Sequence, residues 1–138
     1  MMRRFSGGRA AVVLLLVLGG CDGNPRPHVP GAPPRPSAIE HSKGIGFYDL
    51  EDWDAAISCF TEAIRLKPDF ANAYVNRGLA YHKKQKYDLA ISDYTEAIRL
   101  ETRFPAVAYR NRGIAYREKG EQEKAATDFA EAKALRAR

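Results

Sequence analysis

The chain has 138 residues, of which 45% are apolar and 28% charged, enough for one modest domain. Its formal net charge is +5, but the excess sits outside the part that would fold: without Arg3, Arg4 and Arg9 the balance is 19 basic against 17 acidic residues, and from Ser37 onward it is 17 against 16. A nucleic-acid binder needs a net basic footprint on its folded part, and this chain lacks one.

The first twenty residues read MMRRFSGGRAAVVLLLVLGG, with three arginines, no acid, and an unbroken apolar run from Ala10 to Leu18. Nine helical residues rise about 14 Å, less than half of a bilayer core of about 30 Å. The pattern predicts an export signal over residues 1–20 and not a membrane span. The next residues, Leu18-Gly19-Gly20-Cys21, resemble the lipobox of bacterial lipoproteins. That resemblance implies that Cys21 is lipidated and becomes the new N-terminus, which gives a bacterial, periplasm-facing membrane anchor. Asp22 follows directly; in enteric-type bacteria the resemblance then implies retention at the inner membrane, with the outer membrane the alternative in other lineages. Once Cys21 carries lipid, the only other cysteine, Cys59, is left as a lone thiol. His28, His41 and His82 lie far apart with no ligand spacing around them, so no metal or other cofactor is expected.

Residues 22–36 read DGNPRPHVPGAPPRP and hold six of the eight prolines. With almost nothing apolar to bury, this segment is expected to stay extended. At about 3.1 Å per residue it spans roughly 45 Å, a stiff tether between membrane and domain.

Everything after Ser37 is periodic. WDAAISCFTEAIRLKP from Trp53 returns 34 residues later as YDLAISDYTEAIRLET from Tyr87, and 35 after that as QEKAATDFAEAKALRA from Gln122. The first helices repeat as well: AYVNRGLAY from Ala73 becomes AYRNRGIAY from Ala108. A 34-residue period with Gly, Ala and aromatics at fixed places resembles the tetratricopeptide repeat. The positions are Gly44, Phe47, Ala56, Phe60, Ala63 and Pro68 in the first repeat; Tyr74, Gly78, Tyr81, Ala90, Tyr94 and Ala97 in the second; and Tyr109, Gly113, Tyr116, Ala125, Phe129 and Ala132 in the third. The resemblance implies an all-α fold, an α-solenoid of three repeats and six antiparallel helices over about 37–70, 71–105 and 106–138. Short helices are marginal alone, so each must be held by its neighbours. Gly44, Gly78 and Gly113 are expected to let the partner helix approach closely, against the small Ala56, Ala90 and Ala125. The first helix should be the most easily frayed, since it is polar and carries Gly46 as a second glycine. Thr102 replaces the closing proline of the second repeat, the following link is one residue longer, and Pro105 is expected in the first turn of the next helix. The last helix must cap the stack, and Lys124, Glu131, Lys133 and Arg136 make it polar.

In such a stack the first helix of each repeat lines the concave surface. Val75, Asn76, Leu79, His82 and Lys83 would share that face, followed by Arg110, Asn111, Ile114, Arg117 and Glu118. Asn76 and Asn111 could present a row of amides that donate and accept together. In tetratricopeptide domains this resembles an Asn ladder that holds extended ligands; the alternative is that each Asn bonds the neighbouring helix and stabilises the stack. Arg110, Arg117, His82 and Lys83 are the candidates for an acidic group, while Arg77 and Arg112 are expected to lie over aromatic neighbours. Chaperone-binding members of the family grip a terminal carboxylate with two Lys, two Asn and one Arg. This sequence has His41, Ile45, Asn76, Val107 and Asn111 at those places, so that mode is rejected.

No nucleophile–base pair, phosphate-cradling loop or paired acids emerge. The expectation is a non-enzymatic adaptor or scaffold of the cell envelope that binds a peptide or helix of another envelope protein. The alternative is a structural component that self-assembles through the ends of its stack, as a weak homo-oligomer.

Overall fold

A computed structural model describes residues 33–137. The expected export signal, Cys21, Asp22 and most of the proline-rich segment lie outside the described residues. Within them the chain forms six helices: α1 (Pro36–Asp49), α2 (Trp53–Leu66), α3 (Ala71–Lys83), α4 (Tyr87–Arg99), α5 (Pro105–Glu118) and α6 (Gln122–Arg136). No strand occurs among the described residues. Helices pair as α1 with α2, α3 with α4 and α5 with α6, and the second helix of each pair packs on the first of the next. Lighter contacts join α1 to α3 and α3 to α5, which places these three side by side on one face.

Local chemistry sets the turns. The residues at the ends of α1, α3 and α5 form the same C-terminal cap, with Glu51 at φ 60°, Gln85 at φ 57° and Gly120 at φ 86°. In α3 the Gln85 N–H donates to the His82 carbonyl at 2.9 Å and the Lys86 N–H to the Tyr81 carbonyl at 2.9 Å, and the other two ends match it. This pair of bonds satisfies carbonyls that a helix end otherwise leaves open. Only the third cap uses glycine; the first two place L-residues in the left-handed region, where a Cβ is unfavourable. Asp52 caps α2 by accepting from the Ala55 N–H at 3.1 Å. Pro105 opens α5, where no backbone donor is needed. The extra residue of the third period falls in the link between α4 and α5, which runs from Leu100 to Phe104.

The core is small residues wrapped around aromatic rings. Phe60 and Tyr94 are fully buried, with Ala56, Ala80, Ala90 and Ala115 at zero exposure around them. The glycines do make room, but for rings and not for alanines. A Cβ on Gly44 would stand 2.5 Å from Phe60 Cε1, on Gly78 2.7 Å from Tyr94 Cε1, and on Gly113 2.9 Å from Phe129 Cε1. Ala56 and Ala90 serve a different junction: Ala56 clusters with Ala80, and Ala90 with Ala115, each on the first helix of the following repeat. Small residues on both sides bring successive repeats together, whereas glycine and ring close each repeat internally. Ala125 is buried at 2% exposure in the last helix.

Candidate functional site

Two clefts open on the face shared by α1, α3 and α5. The larger, about 280 Å³, is lined by His41 of α1, Asn72, Val75, Asn76 and Leu79 of α3, Thr102 and Phe104 of the α4–α5 link, and Val107 of α5. The smaller, about 180 Å³, lies between Ile45, Tyr48, Phe60, Asn76 and Leu79. Apolar surface dominates both, and neither is lined by a Lys, Arg, Asp or Glu. Phe104 and Val107 are 57% and 41% exposed, and Ile45 40%. Apolar walls broken by a few convergent polar groups are the usual makeup of a binding cleft.

Asn76 and Leu79 belong to both clefts. The Asn76 amide nitrogen lies 2.9 Å from His41 Nε2, across from α3 to α1. His41 packs tilted against Phe70 at 4.7 Å and Phe60 at 5.6 Å between ring centres. Burial holds its imidazole below its ordinary value, while a bond with the Asn72 backbone opposes the shift. The amide therefore meets a side chain on the first helix of the preceding repeat.

The other sequence candidates lie elsewhere. Asn111, Arg110, His82, Lys83 and Arg117 line neither of these clefts. His82 turns toward its own repeat and meets Tyr87 edge-on at 5.4 Å, with Nε2 buried and without a hydrogen-bond partner. It occupies the place that Tyr48 holds against Trp53 in the first repeat, at 4.8 Å. Lys83 sits over the Trp53 ring at 5.9 Å and Arg117 over Phe129 at 5.8 Å. Arg110 is exposed and Asn111 half-buried on α5.

Arg77 and Arg112 do lie over aromatic rings, Arg77 over Tyr74 and Tyr81 at 5.6 and 5.9 Å. Each also makes a connection the sequence reading missed. Arg77 grips Asp93 with two bonds, Nε to Oδ2 at 2.9 Å and Nη2 to Oδ1 at 2.8 Å, and reaches back to the Thr61 hydroxyl at 3.1 Å. Arg112 repeats the pattern with Asp128 at 2.8 Å twice and Thr95 at 3.0 Å. One guanidinium thus ties three helices across each junction between repeats. Burial pushes the Asp93 carboxyl up, and the two-pronged bond from Arg77 opposes that shift. The signal was present: both Arg–Asp pairs are 16 residues apart. At the first repeat the same spacing joins Lys43 to Cys59, and Lys43 pairs instead with Glu40 at 2.7 Å. Burial raises the Cys59 thiol, which favours its inert form. Thr102 and Phe104 were also missed as cleft residues, since a one-residue insertion breaks the period that would have flagged them.

Among the described residues no cluster of His, Cys, Asp and Glu could hold a metal ion, and no helix is long and apolar enough to cross a membrane. Family profiles match over the repeats, TPR repeat at residues 46–85 and tetratricopeptide repeat at residues 71–102. No curated protein sequence matches the chain. Solved structures do. The Arabidopsis OM64 TPR domain is 31% identical, with a TM-score of 0.69 over 72% of this chain and 81% of that one. The second TPR domain of human RPAP3, in complex with the HSP70 peptide SGPTIEEVD, is 35% identical, with a TM-score of 0.68 over 72% and 82%. The second TPR domain of Spaghetti (RPAP3), bound to the HSP90 peptide SRMEEVD, is 33% identical, with a TM-score of 0.68 over 72% and 91%. With six helices paired in this way and relatives of this identity over most of their length, the chain belongs to the tetratricopeptide repeat family.

Proposed function

We propose that the protein is a non-enzymatic adaptor that holds a segment of a partner protein in its concave clefts, from a lipid anchor in the bacterial cell envelope. The observation that carries the binding role is the pair of apolar clefts meeting at Asn76 and Leu79, open to solvent along Phe104, Val107 and Ile45. Each cleft is of a size to take one apolar side chain, and the Asn76 amide stands between them to pair with a ligand backbone. Peptide binding by the RPAP3 domains supports the mode. Their ligands end in EEVD, whereas the clefts here offer apolar walls and no Lys or Arg. The partner is therefore a segment carrying apolar anchors. The envelope location rests on Leu18-Gly19-Gly20-Cys21 and the basic, apolar leader before it.

A photo-crosslinking residue at Val107 in the native cells should capture a defined partner, while the same residue at the exposed Thr127 of α6 should not. Phe104→Asp, at an exposed position, should abolish the Val107 product without unfolding the chain. Capture that persists in this variant would remove the groove from the function. In the same cells Cys21→Ser should release the protein from the membrane fraction; retention would remove the anchor.

A further inference from the structure

We infer that His41 is a positioning residue that sets which way the Asn76 amide faces, so that protonating His41 replaces the acceptor the groove offers with donors. This rests on the groove being the binding site, but its physical core does not need a ligand. The amide nitrogen of Asn76 can only donate, and it stands 2.9 Å from His41 Nε2. Nε2 must therefore carry the lone pair, and the ring proton sits on Nδ1. With one N–H of Asn76 used in this way, its carbonyl oxygen and remaining N–H are left for the cleft, where Asn76 borders both cavities. In this state the groove offers an acceptor to a ligand N–H.

A second proton on the ring goes to Nε2 and turns it into a donor. Two donors then face each other at hydrogen-bond distance. The relief is a half-turn of the amide about its last torsion, which brings the carbonyl oxygen to His41 and the NH₂ group to the cleft. The groove would then offer donors where it had an acceptor, and a ligand matched to one state leaves a polar group unpaired in the other.

The surroundings isolate this switch. His41 packs on Phe60 of α2, Phe70 of the α2–α3 link, and Asn72 and Asn76 of α3. No charged side chain faces it from these elements. On its own helix Glu40 and Lys43 pair with each other, and Lys67 lies over the Phe70 ring at 5.2 Å. Burial and the bond with the Asn72 backbone govern its proton, and burial holds it low.

The test is NMR of the ¹⁵N-labelled full-length chain, without ligand, across pH 8 to 4. The expected result is the Nδ1–H tautomer of His41 at high pH. The Asn76 side-chain amide resonances should then move with the same midpoint as the His41 ring, below 6.5. An Nε2–H tautomer, or Asn76 resonances that stay still through the His41 transition, would overturn the inference. Asn76→Asp places an acceptor against Nε2 and should raise the His41 midpoint by about 1 pH unit or more; an unchanged midpoint would overturn it as well. Since these readouts involve no partner, they can succeed where the crosslinking fails, and the reverse.

Discussion

At the scale of single residues, the two kinds of glycine in this fold should respond oppositely to the same change. Gly78→Ala drives a methyl against the Tyr94 ring at 2.7 Å, and the ring is fully buried and cannot yield. We expect a loss of about 1–3 kcal/mol, the usual cost of overpacking. Gly46 has nothing within 4 Å of its missing Cβ. There Gly46→Ala should stabilise by roughly 0.5–1 kcal/mol, because it removes backbone freedom in the unfolded chain and touches nothing. Denaturant midpoints of the two variants check both signs. The sequence marked Gly44, Gly78 and Gly113, since they recur at one period, but it could not say what fills the space beside them. Ring and alanine both recur with the same period, so only the fold separates the contact inside a repeat from the one between repeats. Asn76 was legible in the same way, while His41, its partner, has no counterpart in the later repeats, where Val75 and Arg110 stand. A residue that occurs once carries no periodic signal.

At the scale of elements, a buried ion pair closes the second repeat and another the third, and the arginine of each reaches back across a junction. Asp93 is 5% exposed and Asp128 3%, and each is held by one arginine that also reaches the preceding repeat. Removing one partner strands a buried charge, so Arg77→Met should cost about 3–5 kcal/mol, a large share of the stability of a small domain. The double variant Arg77→Met, Asp93→Leu should recover a large part of that loss. A thermal-melt cycle over the four proteins measures it. The turn into α4 offers a gain: Gln85 sits at φ 57°, and Gln85→Gly should stabilise by about 1 kcal/mol. His82 links this level to pH. Its Nε2 is buried and unpaired and its imidazole is held low, mainly by burial, as is that of His41. For groups depressed by folding, stability is full above the ordinary value of 6.5 and is lost as pH falls through the folded value. Urea midpoints should therefore drop between pH 7.5 and 5.5. His82→Tyr, which copies Tyr48 at the matching place, should reduce that drop and add about 1 kcal/mol at neutral pH.

At the scale of the whole molecule, this chain shares a fold with domains that are bound to acidic peptides, yet its own clefts are lined by no Lys or Arg. The RPAP3 domains are bound to peptides ending in EEVD, which carry adjacent carboxylates. A desolvated carboxylate needs cations or several donors around it. Here the cleft presents His41, Asn76, Val75, Leu79 and Val107, and its one ionisable side chain is held toward the neutral state by burial. The peptide SRMEEVD should therefore bind weakly or not at all, with a dissociation constant above about 1 mM, or less than about 4 kcal/mol of binding free energy. Charge is the missing ingredient and not shape, so the deficit should be repairable. His41 and Val107 flank Asn76 from opposite helices of one cleft, and both keep exposed surface. The double variant His41→Lys, Val107→Lys would place two ammonium groups around the amide, and should bind SRMEEVD at least tenfold more tightly than the parent. Isothermal titration at low and high salt decides the matter, because an affinity gained through exposed charges fades as they are screened. A gain that survives salt would mean the cleft already fits the peptide through its apolar walls. Tight binding by the unmodified chain would mean that Asn76, with the backbone around it, can hold a carboxylate without a cation.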